Sequence, residues 1–155
     1  MRIVLVEPEI PGNTGNIARL AAALGASLHL IKPLGFSLDD RYLKRAGLDY
    51  WHLLDVHIHE NYDEFLEKFS NGRVPYFLTT KASTSYGSFK YSWDDILVFG
   101  KETAGLSKVF MENFIGIHIK IPMIEEARSL NLSNAVAIVS YEIARQNLFR
   151  GMKIE

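Results

Sequence analysis

Residues 3–6, Ile-Val-Leu-Val, form an unbroken apolar run, the pattern of a strand buried on both faces. A polar, turn-forming stretch follows. Then Ile17, Leu20, Ala21 and Leu24 recur at helical spacing, with Asn13-Thr14 offering an N-cap and Gly25 an end. Ser27–Ile31 predicts a second strand, 39–46 a short helix, 55–58 a third strand, and Tyr62–Phe69 a helix closed by Asn71-Gly72. The second half repeats the rhythm. Residues 76–79 and 96–99 are apolar strands, 107–113 a short helix and 117–121 another strand. The longest helix spans 132–149, with Leu132, Ala135, Val136, Val139 and Ile143 along one side. Strands alternating with helices predict an α/β fold: an open, mostly parallel sheet flanked by helices. No repeat, low-complexity tract or linker interrupts it, so residues 1–155 read as a single domain.

In such sheets ligands bind beyond the carboxyl ends of the strands. That singles out three loops, 7–16, 100–107 and 122–133. The first runs through Asn13, Thr14 and Asn16 into a helix, and fits either a plain capped turn or an anion site at a helix N-terminus. Arg19 lies off the apolar face of that helix, in a stripe with Asn16 and Ala23; it fits either a solvated surface arginine or, with the small Ala22 and Ala23 beside it, a close subunit contact. The second loop sets Glu102 between Gly100 and Gly105, which let backbone approach a ligand closely; a plain turn with a surface glutamate fits the residues equally well. The chain contains no G-x-G-x-x-G or Walker motif. The third loop carries Ser129, Asn131, Ser133 and Asn134, where helix capping needs only one such group. That surplus points to a site. It suits transfer of a group whose donor brings its own leaving group, leaving the protein to align donor and acceptor.

Composition narrows the chemistry. The 155 residues include no cysteine, which excludes disulfides, thiolate metal sites and a cysteine nucleophile, and fits a cytoplasmic protein. Neither a signal-peptide core nor an apolar stretch long enough to span a bilayer is present, so no membrane partner is expected. The net charge is only −1, so any nucleic-acid partner would have to be held by local basic patches. Arg41, Lys44 and Arg45 supply one at i, i+3, i+4 spacing, to which Lys81, Arg128, Arg145, Arg150 and Lys153 can add. Tyr50 and Trp51 are candidates either to stack a base or to pack the core. His57 and His59 share one face of a predicted strand; without a third ligand nearby they read as a solvated strand edge, and no metal is expected. Capping or turn roles account for Asp39-Asp40 and Asp94-Asp95.

Taken in order, the three loops resemble the three motifs of the SpoU branch of the SPOUT RNA methyltransferases. The first is carried by Asn13, Gly15, Asn16 and Arg19, and the second by Phe99, Gly100, Glu102, Gly105 and Leu106. The third is carried by Ile121, Pro122, Ser129, Leu130, Asn131, Leu132, Ser133 and Ala135. Four further stretches are similar to bacterial enzymes that methylate the ribose of the tRNA wobble nucleotide. They are Glu7-Pro8-Glu9-Ile10-Pro11, Pro33-Leu34-Gly35-Phe36, Arg45-Ala46-Gly47-Leu48-Asp49-Tyr50 and Leu78-Thr79-Thr80-Lys81. Lys101 departs from that pattern, where proline is frequent.

The resemblance implies a C-terminal deep trefoil knot, which periodicity does not reveal and which is rare among folds. It implies S-adenosylmethionine as cofactor, held by Leu78, Thr79, Gly100, Glu102, Gly105, Ile121, Met123, Ser129, Leu130, Ser133 and Ala135. The implied reaction is 2′-O-methylation of a wobble cytidine or modified uridine in the tRNA anticodon stem-loop, without an appended RNA-binding domain. Asn13, Arg19, Glu102, Ser129 and Asn131 carry over as catalytic positions. Arg19 acts either as base or, since a guanidinium essentially never deprotonates, as a bidentate clamp on phosphate and ribose. Glu102 then fixes Arg19 or an amide of the third loop. Arg19, Arg41, Lys44 and Arg45 grip RNA, and Tyr141 joins a homodimer interface in which loop one nears the partner's cofactor. A ribosomal RNA target, or a non-catalytic RNA-binding or assembly protein of the same fold, are the alternatives. The intact set Arg19, Glu102, Ser129 and Asn131 argues against the last.

Overall fold

The computed structural model describes residues 1–39, 41, 45 and 53–153. Of the residues singled out above, Asp40, Lys44, Ala46, Gly47, Leu48, Asp49, Tyr50 and Trp51 lie outside the described residues, as does most of the proposed helix at 39–46; Arg41 and Arg45 are helical and exposed. Six strands form the sheet among the described residues: β1 (Arg2–Val6), β2 (Ser27–Ile31), β3 (Asp55–His59), β4 (Tyr76–Leu78), β5 (Ile96–Phe99) and β6 (Ile117–Ile119). Their order is β3-β2-β1-β5-β4-β6, and every pairing is parallel. The α-helices whose full extent lies among the described residues are α1 (Pro11–Leu24), α2 (Tyr62–Phe69), α3 (Lys108–Asn113) and α4 (Leu132–Gln146).

Because successive strand residues point to opposite faces, each apolar run feeds two cores. Ile3, Leu5, Leu28, Leu30, Leu97 and Phe99 pack beneath Ile17, Ala21 and Leu24 of α1 and Val136, Val139 and Ile143 of α4. Val4, Val6, Ile31, Ile96 and Val98 face Tyr62 and Phe65 of α2 and Phe110 of α3 on the other side. The result is three layers, with α1 and α4 in mutual contact on one face.

Several elements differ from the sequence expectation. Helix α1 starts at Pro11, with Ile10 as N-cap and no side-chain cap; Pro11, whose fixed φ suits a first turn, sets the start. Asn13 and Thr14 are therefore buried inside the helix rather than capping it. Helix α4 stops at Gln146: the Asn147 side-chain amide donates to the Ile143 carbonyl at 2.8 Å, and Leu148 and Phe149 turn to positive φ. β4 and β6 end at Leu78 and Ile119, short of the expected 79 and 121.

The strand edge at His57 and His59 is not uniformly solvated. His59 is buried against Phe65 and Phe69, and its Nε2 lies 3.0 Å from Nδ1 of the fully buried His29 on β2. Parallel register places His29 beside His57, and their rings stack at 4.9 Å. The Ser27 hydroxyl, 2.9 Å from His29 Nε2, completes a chain in which the neutral His29 ring donates through one nitrogen and accepts through the other. Burial, followed by the neighbouring histidines, pushes His29 down to about 3; burial also lowers His59. Among the described residues no cluster of three or more histidine, aspartate or glutamate side chains is arranged to hold a metal ion.

Candidate active site

Strands β4, β5 and β6 end on the same side of the sheet, and the loops leaving them enclose a cavity of about 440 Å³. The first wall comes from Leu78, Thr79, Thr80 and Lys81. A second is the loop from Phe99 to Leu106. The third comes from Ile121, Met123, Arg128, Ser129, Leu130 and Leu132, with Ala135 from the first turn of α4. The volume and the mixture of apolar side chains with polar loop backbone suit a nucleoside-sized ligand. Leu130 lines it while 40% exposed, an apolar surface that a ligand would cover.

Loop two is shaped by its glycines. A Cβ on Gly100 would lie 2.0 Å from the Gly105 carbonyl carbon and 2.1 Å from the Leu106 nitrogen, so the loop doubles back against its own start. The turn closes through the Gly105 N–H, which donates to the Lys101 carbonyl at 2.8 Å, with Gly105 at φ +67.

Glu102 ties this loop to loop one. One of its oxygens accepts from the Glu9 N–H at 2.8 Å; the other accepts from the Ile10 N–H at 3.0 Å and the Asn13 amide at 3.3 Å. A carboxylate from β5's loop thus takes up the N-cap N–H of α1 and the one before it, where the helix has no side-chain cap of its own. Glu9 returns the contact: its carboxylate accepts from the Thr103 N–H at 3.0 Å and hydroxyl at 2.8 Å, which hold Glu9 below the usual carboxylate range. Lys101 adds an ion pair with Glu7 at 2.9 Å, chiefly responsible for raising Lys101 above its ordinary value. So the lysine that departs from the motif pattern serves as a second strut between the two loops.

The network continues into loop three. Asn131 caps α4 by accepting from the Ser133 and Asn134 N–H groups, while its own amide donates to Asn13 Oδ1 at 3.0 Å. Asn13 therefore joins Glu102 to Asn131 and links all three loops. Glu102 reaches the third loop's amide through Asn13, and the backbone of loop one directly.

Ten of the eleven positions expected to hold cofactor line the cavity: Leu78, Thr79, Gly100, Glu102, Gly105, Ile121, Met123, Ser129, Leu130 and Ala135. Ser133 does not; its hydroxyl donates to Asn131 Oδ1 at 2.6 Å within the α4 cap. Asn13 and Asn131 stand beside the cavity, in the network behind Glu102. Arg19 is exposed on α1, in the stripe with Asn16 and Ala23, and does not line the cavity of its own chain. Tyr141 on α4 is 45% exposed, next to a partly exposed Ile138. Lys81, Thr103 and Arg128 also line the cavity. Sequence reasoning missed Thr103; its signal was its place inside loop two.

The comparisons with known proteins agree with this geometry. Residues 1–141 match the SpoU rRNA Methylase family. The tRNA (cytidine(34)-2′-O)-methyltransferase of Methylovorus glucosotrophus (strain SIP3-4) is 47% identical over 150 residues, covering 96% of this chain and 97% of the relative. A solved structure described as "Structural insights into the 2-OH methylation of C/U34 on tRNA" superposes with a TM-score of 0.89 at 44% identity, covering 96% of this chain and 97% of that one. The SpoU methyltransferase AviRb of Streptomyces viridochromogenes, in complex with AdoMet, superposes with a TM-score of 0.82 at 26% identity over 99% of this chain and 59% of AviRb. With its parallel sheet, its three tied loops and a family match over 141 residues, the chain belongs to the SpoU methylase family.

Proposed function

We propose that this chain is an S-adenosylmethionine-dependent enzyme that methylates the ribose 2′-hydroxyl of the wobble nucleotide, position 34, in tRNA. The support is the near-complete coverage of a relative that carries this activity in its name, together with a nucleoside-sized cavity lined by ten of the expected positions. The AdoMet complex of AviRb supports the choice of cofactor. The same reading makes the enzyme a cytoplasmic homodimer with a knotted C-terminal segment, its contact including Tyr141.

The residues present fit that cofactor. Leu78, Ile121 and Leu130 offer apolar contact to a purine, and the doubled-back loop at Gly100–Gly105 brings backbone groups close to it. Bound there, S-adenosylmethionine supplies a methyl group on a sulfonium whose departure leaves a neutral thioether. The chain's own task is alignment. Glu102 holds loop one and the start of α1, Asn13 carries that restraint to Asn131, and Ser129 lies on the cavity wall, where its hydroxyl can hold a reacting group. Arg19, presented on α1, clamps phosphate and ribose at the partner's cavity and turns the 2′-oxygen towards the methyl group.

The test is methyl transfer from labelled S-adenosylmethionine to bacterial tRNA lacking wobble ribose methylation, read by nucleoside mass spectrometry. A 2′-O-methylated pyrimidine at position 34 is expected. Arg19→Ala should cut turnover on the order of a hundredfold with cofactor affinity nearly unchanged. Transfer to ribosomal RNA instead of tRNA would move the target while keeping the reaction; cofactor binding without transfer to either would end the catalytic reading.

A further inference from the structure

Among the described residues, six basic side chains have a carboxylate counter-ion at short range. Lys32, Lys68, Arg73, Lys101, Lys108 and Arg145 each lie within 3.5 Å of a carboxylate oxygen. Lys81 and Arg128 have none among the described residues, and both are exposed on the wall of the candidate cofactor cavity. Glu125 and Glu126 precede Arg128 in the same loop, are exposed, and make no ion pair with it. Lys90, Lys120, Arg150 and Lys153 also lack an ion pair among the described residues, but none of them lines the cavity.

The charge balance at the mouth decides what these two cations face. Four charged residues line the cavity: Lys81, Lys101, Glu102 and Arg128. Lys101 is matched by Glu7, and the Glu102 carboxylate is already shared among two backbone N–H groups and the Asn13 amide. Two positive charges remain uncompensated. The proposed cofactor carries an ammonium, a sulfonium and one carboxylate, hence a net positive charge. A cavity built for that molecule alone gains nothing from two further cations. The acceptor supplies the missing anion. In RNA the 2′-hydroxyl and the 3′-phosphodiester stand on adjacent ribose carbons, so a hydroxyl delivered to the cavity brings a phosphate to its mouth.

We infer that Lys81 and Arg128 form a two-sided phosphate clamp at the cavity mouth that holds the RNA backbone beside the methylated ribose. This rests on the ribose-methylation reading above and adds to it the point at which the acceptor strand is gripped. The two residues come from different loops, after β4 and before α4, so a bound phosphate bridges two walls of the cofactor site. Arg128 provides a planar fork for two phosphate oxygens, and Lys81 a mobile point charge.

The experiment compares Lys81→Gln, Arg128→Gln and the double variant with the unsubstituted enzyme, with Lys108→Gln as a control at a paired surface lysine. Three quantities are measured: tRNA affinity across a salt series, S-adenosylmethionine affinity by calorimetry, and thermal stability. Each single variant should bind tRNA roughly tenfold more weakly. Its salt dependence should be shallower by about 0.7 in log–log slope, the value for one lost contact on a single strand. Cofactor affinity and melting temperature should stay unchanged, and Lys108→Gln should behave as the unsubstituted enzyme. Weakened cofactor binding with unchanged tRNA affinity would overturn the inference and assign the pair to the cofactor's carboxylate. Unchanged tRNA affinity, slope and cofactor binding would overturn it in favour of merely solvated cations. An unsubstituted enzyme that transfers no methyl group to tRNA strikes the functional reading; one that does, with variants unaltered in slope, strikes the clamp alone.

Discussion

Glu102 shows how a single carboxylate turns three loops into one object. It receives two backbone N–H groups and an amide from a segment some ninety residues earlier, at distances between 2.8 and 3.3 Å. Glu102→Gln keeps the shape but puts an amide N–H opposite donors. Amide hydrogen exchange at Glu9 and Ile10 should then speed up by roughly tenfold or more, since bonds to a charged acceptor are worth more than neutral ones. Unchanged exchange would mean that loop one is held by Glu9–Thr103 and Lys101–Glu7 without it. Gly100 sets the opposite kind of limit, because no side chain fits between it and Gly105. Gly100→Ala must displace backbone, at a cost of about 3 kcal/mol, and calorimetry should find S-adenosylmethionine binding lost or weakened by at least about a hundredfold. At this scale the sequence was informative about residue type and poor about partners. The surplus of amides and hydroxyls near Asn131 marked a site, but the Asn13–Asn131 bond spans 118 positions and leaves no local trace.

Elements were legible where their pattern was local. Ser27–Ile31, Tyr62–Phe69 and Ile96–Phe99 follow from apolar runs and amphipathic spacing alone. The start of α1 was misplaced because Asn13-Thr14 imitates a cap, whereas the N-cap is Ile10, whose N–H is taken up by Glu102 from another strand's loop. Burial of His59 was missed for a similar reason: its partner, His29, sits on a neighbouring strand, and only parallel register brings them together. That pairing has an acid consequence. Both imidazoles are held neutral in the fold, His29 at about 3, whereas the unfolded chain titrates near 6.5. Between those values the unfolded state binds more protons, so stability falls as pH drops below about 6.5. In denaturant titrations the unsubstituted protein should lose about 2 kcal/mol more than His29→Asn between pH 7 and pH 5. Equal losses would show that β2 and β3 tolerate a charged histidine.

For the molecule as a whole, the parallel sheet and its layers could be read from the alternation of elements, while the strand order could not. Nothing in the local pattern says that β1 lies beside β5, or that the chain returns to insert β5 between β1 and β4. Yet that order creates the site, because the loops after β1 and β5 are neighbours only through it. A ligand held by the loops after β4, β5 and β6 therefore reports on the whole fold. At a hundred times its dissociation constant, S-adenosylmethionine should raise the melting temperature by roughly 5–10 °C, and a shift below a degree would mean that the folded chain does not bind it in preference to the unfolded one. The same strand order also governs synthesis. β1 ends at Val6 and its neighbour β5 begins at Ile96, so the ribosome must add about ninety residues before one flank of the central strand can pair. At ordinary elongation rates that interval lasts roughly five to twenty seconds. Throughout it one edge of Ile-Val-Leu-Val has no partner strand, so the emerging chain carries an unpaired apolar edge that the finished fold does not have.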